Sequence, residues 1–227
     1  MNEQQRETIK ELGSADVKGK NGSIHCLTIV GQIEGHQSTP DDGKGTKYEH
    51  ILPMLAAVEE SPEIDALLIM LNTMGGDVEA GLAIAEVIAG MRKPTATLVL
   101  GGSHSIGVAL AVAGKRSFIP PSACMMIHPV RMTGLVIAAP QTWRYFARTQ
   151  QRIAEFVTGH SNISAAQFEQ LMQATDEIAN DVGTVVDGRQ AVEYGLIDCL
   201  GGLGDALDYL HREIEKNKKD CSWDGFQ

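Results

Sequence analysis

The sequence predicts a single α/β domain built on a parallel sheet, and three observations carry that expectation. The run Asp65-Ala66-Leu67-Leu68-Ile69-Met70-Leu71-Asn72 is almost continuously apolar, the pattern of a strand buried on both faces. A second run, Thr95 to Leu100, repeats it, and between the two Val78 to Met91 places Ala, Gly and Ile at helical spacing. Such strand and helix alternation calls for crossover connections, with a ligand site beyond the carboxyl ends of the strands. No Pro/Gly/Ser-rich linker interrupts the 227 residues, so one core is expected.

Composition narrows the function classes. Apolar residues make up 43% of the chain and aromatics only 5%, so the core must be assembled from Ala, Val, Ile, Leu and Met. Lys and Arg number 19 against 29 Asp and Glu, a formal charge of −10, and the basic residues are scattered. That balance argues against a nucleic-acid partner. Cys26, Cys124, Cys199 and Cys221 show no C-x-x-C spacing, and Cys26 and Cys124 sit among apolar neighbours as structural thiols would. Neither a signal peptide nor an apolar run long enough to cross a bilayer is seen, which points to a reduced cytoplasmic setting.

Residues 1–23 read as a polar, flexible amino-terminal arm, with a short helix suggested near Gln4 to Leu12. The domain proper is expected over 24–215. Ile24, Cys26, Leu27, Ile29, Val30 and Ile33 describe a buried first strand, and the Gly, Pro, Asp and Ser of Glu34 to Thr46 a loop. Tyr48 to Glu59 sets Ile51, Leu55 and Val58 on one helical face, with Pro53 acceptable only in the first turn.

After the two central strands come Arg116 to Ile119 and Ala123 to His128, separated by Pro120-Pro121. Pro129 to Pro140 is too apolar for an ordinary solvated loop and is expected to pack on a partner or a lid. Gln141 to Thr158 predicts a long helix, and Ser164 caps another that carries Phe168 and Leu171. A strand ending near Val186, a short helix over Gly188 to Gly195, a strand at Ile197 to Leu200 and a helix over Gly204 to Glu215 complete the domain, leaving 216–227 as a polar tail.

The candidate chemistry lies at the strand ends. Ser105 stands where Leu98-Val99-Leu100 runs into Gly101-Gly102 and a small-residue helix begins. Unpaired backbone N–H groups there would favour an oxyanion, and the same position suits a helix N-cap. Gly75-Gly76 and Gly101-Gly102 either permit positive φ alone or let backbone amides converge on one anion. His128 ends the apolar run Cys124 to Ile127, where an imidazole is either packed in the core or held neutral to accept a proton. His104 competes for the base role by adjacency, although neighbouring residues at a helix start point apart.

Taken together in order, Asn72-Thr73-Met74-Gly75-Gly76, Gly102-Ser103-His104-Ser105-Ile106-Gly107, Met126-Ile127-His128-Pro129 and Gln190-Ala191-Val192-Glu193-Tyr194-Gly195-Leu196-Ile197-Asp198 resemble the signature blocks of the ClpP-type serine peptidases. The resemblance covers roughly residues 24 to 210. Ile33-Glu34-Gly35-His36 with Gly101 to Gly107 is similar to a narrower group within that family. Carried across position by position, the resemblance implies Ser105 as nucleophile, His128 as general base, and the Gly76 and Ile106 amides as the oxyanion hole. For the third triad member it suggests Asp181, with Asp176 and Asp187 as alternatives, because the spacing to the last block differs from the family's.

The resemblance further implies a ClpP/crotonase-like spiral of repeated β-β-α units with a protruding helix-strand handle, and a self-compartmentalised homo-oligomeric ring. It implies peptide or unfolded protein as substrate, an ATP-dependent unfoldase as partner, and cleavage through an acyl-enzyme without metal or organic cofactor. His104 stands where the family has a small residue, and Met132 to Ala139 where it has a glycine-rich strand that helps two rings stack. The arm does not match the family's axial loops. Two rival readings stay open: a ring of this fold that binds without cleaving, and an acyl-CoA enzyme on the same fold, which would not need Ser105 and His128.

Overall fold

The computed structural model describes residues 13–19, 21–35, 44–132, 136–176 and 181–223, the last four of these by backbone alone. The helix suggested over Gln4 to Leu12 and most of the loop after the first strand lie outside the described residues. Among the described residues nine strands form one mixed sheet whose spine runs β1 (Ser14–Lys18), β2 (Ser23–Glu34), β4 (Ala66–Gly76), β5 (Thr95–Ser103), β6 (Arg116–Ile119) and β9 (Cys199–Leu200). All neighbours after β1 are parallel, whereas β1 runs antiparallel to β2. The short β3 (Gly45–Lys47) extends β2 at its carboxyl end.

The continuous apolar runs have the cause expected of them, because the central strands are covered on both faces. Leu27, Ile29, Leu67, Ile69, Leu71 and Val99 face the main core, where α1 (Tyr48–Glu60), α2 (Val78–Ala89) and α3 (Gly107–Val112) pack. Ile24, Leu68, Leu98 and Phe118 face a second, smaller core closed by α7 (Leu203–Trp223) through Ala206, Leu210 and Ile214. Burying Leu210 and Ile214 there contributes about 1.5–3 kcal/mol each.

Three elements depart from the sequence expectation. Residues 14–18, read as part of the arm, form β1, which is tied to β2 by a 2.6 Å contact between Asp16 and His25. Its alternation is too short and too polar to announce a strand. Pro53 falls inside α1 rather than in its first turn. Both Pro53 and Glu49, whose carbonyl would otherwise accept from an amide at position 53, are exposed residues. The closing helix also continues beyond Glu215 to Trp223.

The site end of the sheet is built by a second strand set. β7 (Cys124–Ile127) pairs with the end of β5 at Gly102 and Cys124, and β8 (Thr184–Asp187) runs antiparallel to β7. Over it lie α4 (Pro140–Gly159) and α5 (Ala165–Gln173), the latter capped by Ser164 as its sequence suggests, followed after β8 by α6 (Gly188–Glu193). Phe156, Val157, Phe168 and Leu171 carry α4 and α5 into the main core.

Candidate active site

β5 delivers Ser105 in an unusual backbone conformation. Its φ is +57°, and it alone among the described non-glycine residues has positive φ. For an L-residue that geometry costs about 1–3 kcal/mol, so the surroundings must enforce it. They do so with hydrogen bonds on every side: the His104 amide donates to Thr73 O (3.0 Å), the Ser105 amide to Met126 O (2.9 Å) and the Gly107 amide to His104 O (2.9 Å). The N-cap of α3 is Ile106, so Ser105 is not spent on capping. Its neighbour Ser103 is the residue that satisfies backbone, donating to Gly107 O at 2.7 Å.

The two glycine turns meet at this serine. Gly75 has φ +89°, and a Cβ there would lie 2.7 Å from both His104 O and Ser105 Cβ. Glycine is therefore required for conformation and for proximity. The turn is anchored from below by Thr73, which donates to Gly31 O (2.6 Å) and accepts from the Gly75 amide (3.0 Å). The amides on either side of Ile106 are engaged, but its own donates to no acceptor among the described residues. Gly76, Ser105, Ile106 and His128 all line one cleft of about 140 Å³. Its far wall is apolar, formed by Val78, Ile153, Phe168 and Met172.

His128 follows β7 directly. Gly183, at φ +131°, allows the return chain to cross there, since a Cβ on it would come within 2.3 Å of Ile127 O and 2.8 Å of His128 Cβ. His128 Nδ1 lies 2.7 Å from Pro129 O. A carbonyl only accepts, so Nδ1 is the donor and Nε2 carries the lone pair, the tautomer a general base needs. Burial pushes the imidazole below its ordinary pKa; the Pro129 carbonyl opposes that, Arg131 adds to it and Asp181 opposes it.

The candidate third members are separated by what they already bind. Asp187 caps α6, accepting from the Arg189 and Gln190 amides at 2.8 and 2.9 Å while its own amide donates to Gln190 Oε1. Asp176 is exposed beyond the end of α5. Asp181 acts electrostatically on His128, yet its Oδ2 sits 2.7 Å from Arg131 Nη2 and its Oδ1 accepts from the Val182 amide at 2.8 Å. Ser105 and His128 thus share the cleft, whereas Asp181 stays outside its lining and pairs with an arginine that lines it.

His104 does not line the cleft. Its ring folds back over Gly102, where an added Cβ would meet Nε2 at 2.3 Å, and its Nδ1 is buried without a partner among the described residues. Burial, and then the nearby His128, push its pKa down. Asp198, in the last sequence block, is structural: it accepts from the Ser117 amide and hydroxyl, both at 2.9 Å. Among the described residues no three His, Cys, Asp or Glu side chains gather as a metal site.

Sequence comparison decides the family. The family model described as Clp protease matches residues 29–202. The chain belongs to the Clp protease family. A curated relative, translocation-enhancing protein TepA of Halalkalibacterium halodurans, is 55% identical over 213 residues, which cover 93% of this chain and 83% of that protein. The Clp protease match spans both glycine turns, Ser105, His128 and Asp181, and stops at residue 202, before α7 begins. Within the described residues no helix is long and apolar enough to cross a membrane.

Arg131, which lines the cleft, belongs to none of the sequence motifs. A lone basic side chain in the apolar stretch after His128 was its only signal.

Proposed function

We propose that this Clp protease family member is a serine endopeptidase that cleaves through an acyl-enzyme, with Ser105 as nucleophile and His128 as base. The observation that carries the reading is the strained left-handed Ser105, held at the cleft it shares with His128. Strain of this kind, fixed by hydrogen bonds and unused for capping, is characteristic of residues positioned for chemistry.

Ser105 Oγ attacks the scissile carbonyl while its proton passes to His128 Nε2. The Gly76 and Ile106 amides receive the developing oxyanion, and the unpartnered Ile106 N–H supports that role. Collapse of the tetrahedral species transfers the proton to the departing amine. Water then attacks the acyl-enzyme by the same route, returning the proton to Ser105. Asp181, released from Arg131, orients the imidazole at Nδ1 in place of the Pro129 carbonyl. The apolar wall of the cleft suits an apolar substrate side chain.

The family resemblance supports extending the proposal to a cytoplasmic homo-oligomeric ring of spiral β-β-α units. In it, a helix-strand handle protrudes from each subunit, peptide or unfolded protein is the substrate, and an ATP-dependent unfoldase supplies it. A ring of this fold that binds without cleaving is the second reading, favoured by the engagement of Asp181 with Arg131. A fluorophosphonate probe separates them. Labelling of the wild type but not of Ser105→Ala supports the peptidase; folded wild-type protein that takes no label supports the binding ring.

A further inference from the structure

The cation in the cleft has a chemical consequence. Arg131 lies three residues beyond His128 and lines the same cleft as Ser105, amid the apolar Val130, Ile153 and Phe168. Its guanidinium pairs with Asp181 at 2.7 Å, with the two side chains 48% and 40% exposed. While that pair stands, His128 Nδ1 is served by the Pro129 carbonyl and not by the carboxylate.

A half-exposed pair of this kind is held loosely, since solvent screens both partners. The planar fork of an arginine is matched by any carboxylate that reaches it, so one carboxylate can replace another at little net change. In a chain of formal charge −10, a cationic side chain among the residues that line the cleft favours an anionic group on the substrate.

We propose that Arg131 is a specificity-determining residue that takes a carboxylate of the peptide substrate, either an acidic side chain flanking the scissile bond or a free α-carboxylate. Seating it displaces Asp181, which turns to His128 Nδ1 and completes the triad. Ion-pair exchange moves no covalent bond, and the substrate's remaining contacts in the cleft drive it. Peptides lacking the carboxylate leave Asp181 on Arg131 and are cleaved slowly. The inference rests on the peptidase reading above.

The test uses the full-length protein and four matched fluorogenic peptides that carry Gln or Glu beside the scissile bond and end in an amide or a free acid. In the wild type at least one carboxylate-bearing peptide is expected to exceed the neutral one in kcat/KM by about tenfold or more, and the arms identify which carboxylate is read. Arg131→Gln should bring that ratio to about one and raise kcat on the neutral peptide, because Asp181 is set free. Arg131→Lys, which keeps the charge without the fork, should restore part of the ratio. Purely structural damage would lower all four rates together. Wild-type protein that labels with fluorophosphonate yet cleaves the four peptides alike overturns the inference and spares the peptidase reading, as does a ratio unchanged in Arg131→Gln. Wild-type protein that takes no label overturns both.

Discussion

Gly75 and Ser105 are in direct contact: a Cβ on Gly75 would stand 2.7 Å from the Ser105 Cβ and the same distance from His104 O. Gly75→Ala must therefore shift the serine, in addition to straining a backbone at φ +89°. It should lower stability by about 1–3 kcal/mol and reduce fluorophosphonate labelling by about tenfold or more. Chemical denaturation and labelling kinetics on one preparation check both, and unchanged labelling would mean that the turn does not support the nucleophile.

Ser105 itself trades stability for position. In Ser105→Gly the φ of +57° carries no side-chain penalty, whereas Ser105→Ala retains it. The glycine variant should be more stable than the alanine variant by about 1 kcal/mol, and both should lose about a million-fold in turnover. Denaturation midpoints of the pair decide whether the left-handed conformation persists in solution.

Thr73 is 2% exposed and fastens the Gly75 turn to Gly31 through one hydroxyl. Thr73→Val keeps the shape and leaves the Gly31 carbonyl and Gly75 amide unpaired, at a cost of about 2–3 kcal/mol. Thr73→Ser retains the hydroxyl and should lose less than half of that in the same denaturation assay.

The pH profile should report Arg131 and Asp181 from opposite sides. Hydrolysis needs neutral His128, whose pKa is held below the ordinary imidazole value chiefly by burial. Activity should be level above that ordinary value and decline only as the pH falls through the depressed one. Arg131→Gln removes a cation that lowers the pKa and should move the acid limb toward neutrality. Asp181→Asn removes an anion that raises it and should move the limb further into acid. Limbs that coincide in kcat/KM profiles would detach both residues from the base.

Stability should follow pH through the same imidazoles. His104 and His128 are both depressed by burial, so at mildly acidic pH the unfolded chain binds protons that the folded chain refuses. Their contribution is present above the ordinary imidazole value and is lost as the pH falls through the depressed ones. His104→Gln should flatten that decline in thermal melts taken from neutral to mildly acid pH.

What the sequence disclosed follows its physics. β2, β4 and β5 announce themselves because burial on both faces leaves long apolar runs. Ser105 and His128 stand out along the chain because Ser105 follows such a run through Gly101 and Gly102, and His128 directly ends the apolar run Cys124 to Ile127. Asp181, Asp176 and Asp187 look alike along the chain. Only folding assigns one to an arginine, one to exposed chain and one to a helix cap. The Pro129 carbonyl that serves His128 has no side-chain signature at all.

The helix that closes the second core lies wholly beyond the last residue matched by the family model. A protein trimmed to residues 29–202 would also forfeit β1 and the opening half of β2. It would bare the greasy underside formed by Leu68, Leu98 and Phe118 to water, and is expected to clump on expression. For this chain the smallest unit worth purifying reaches past the segment matched by the family model at both ends.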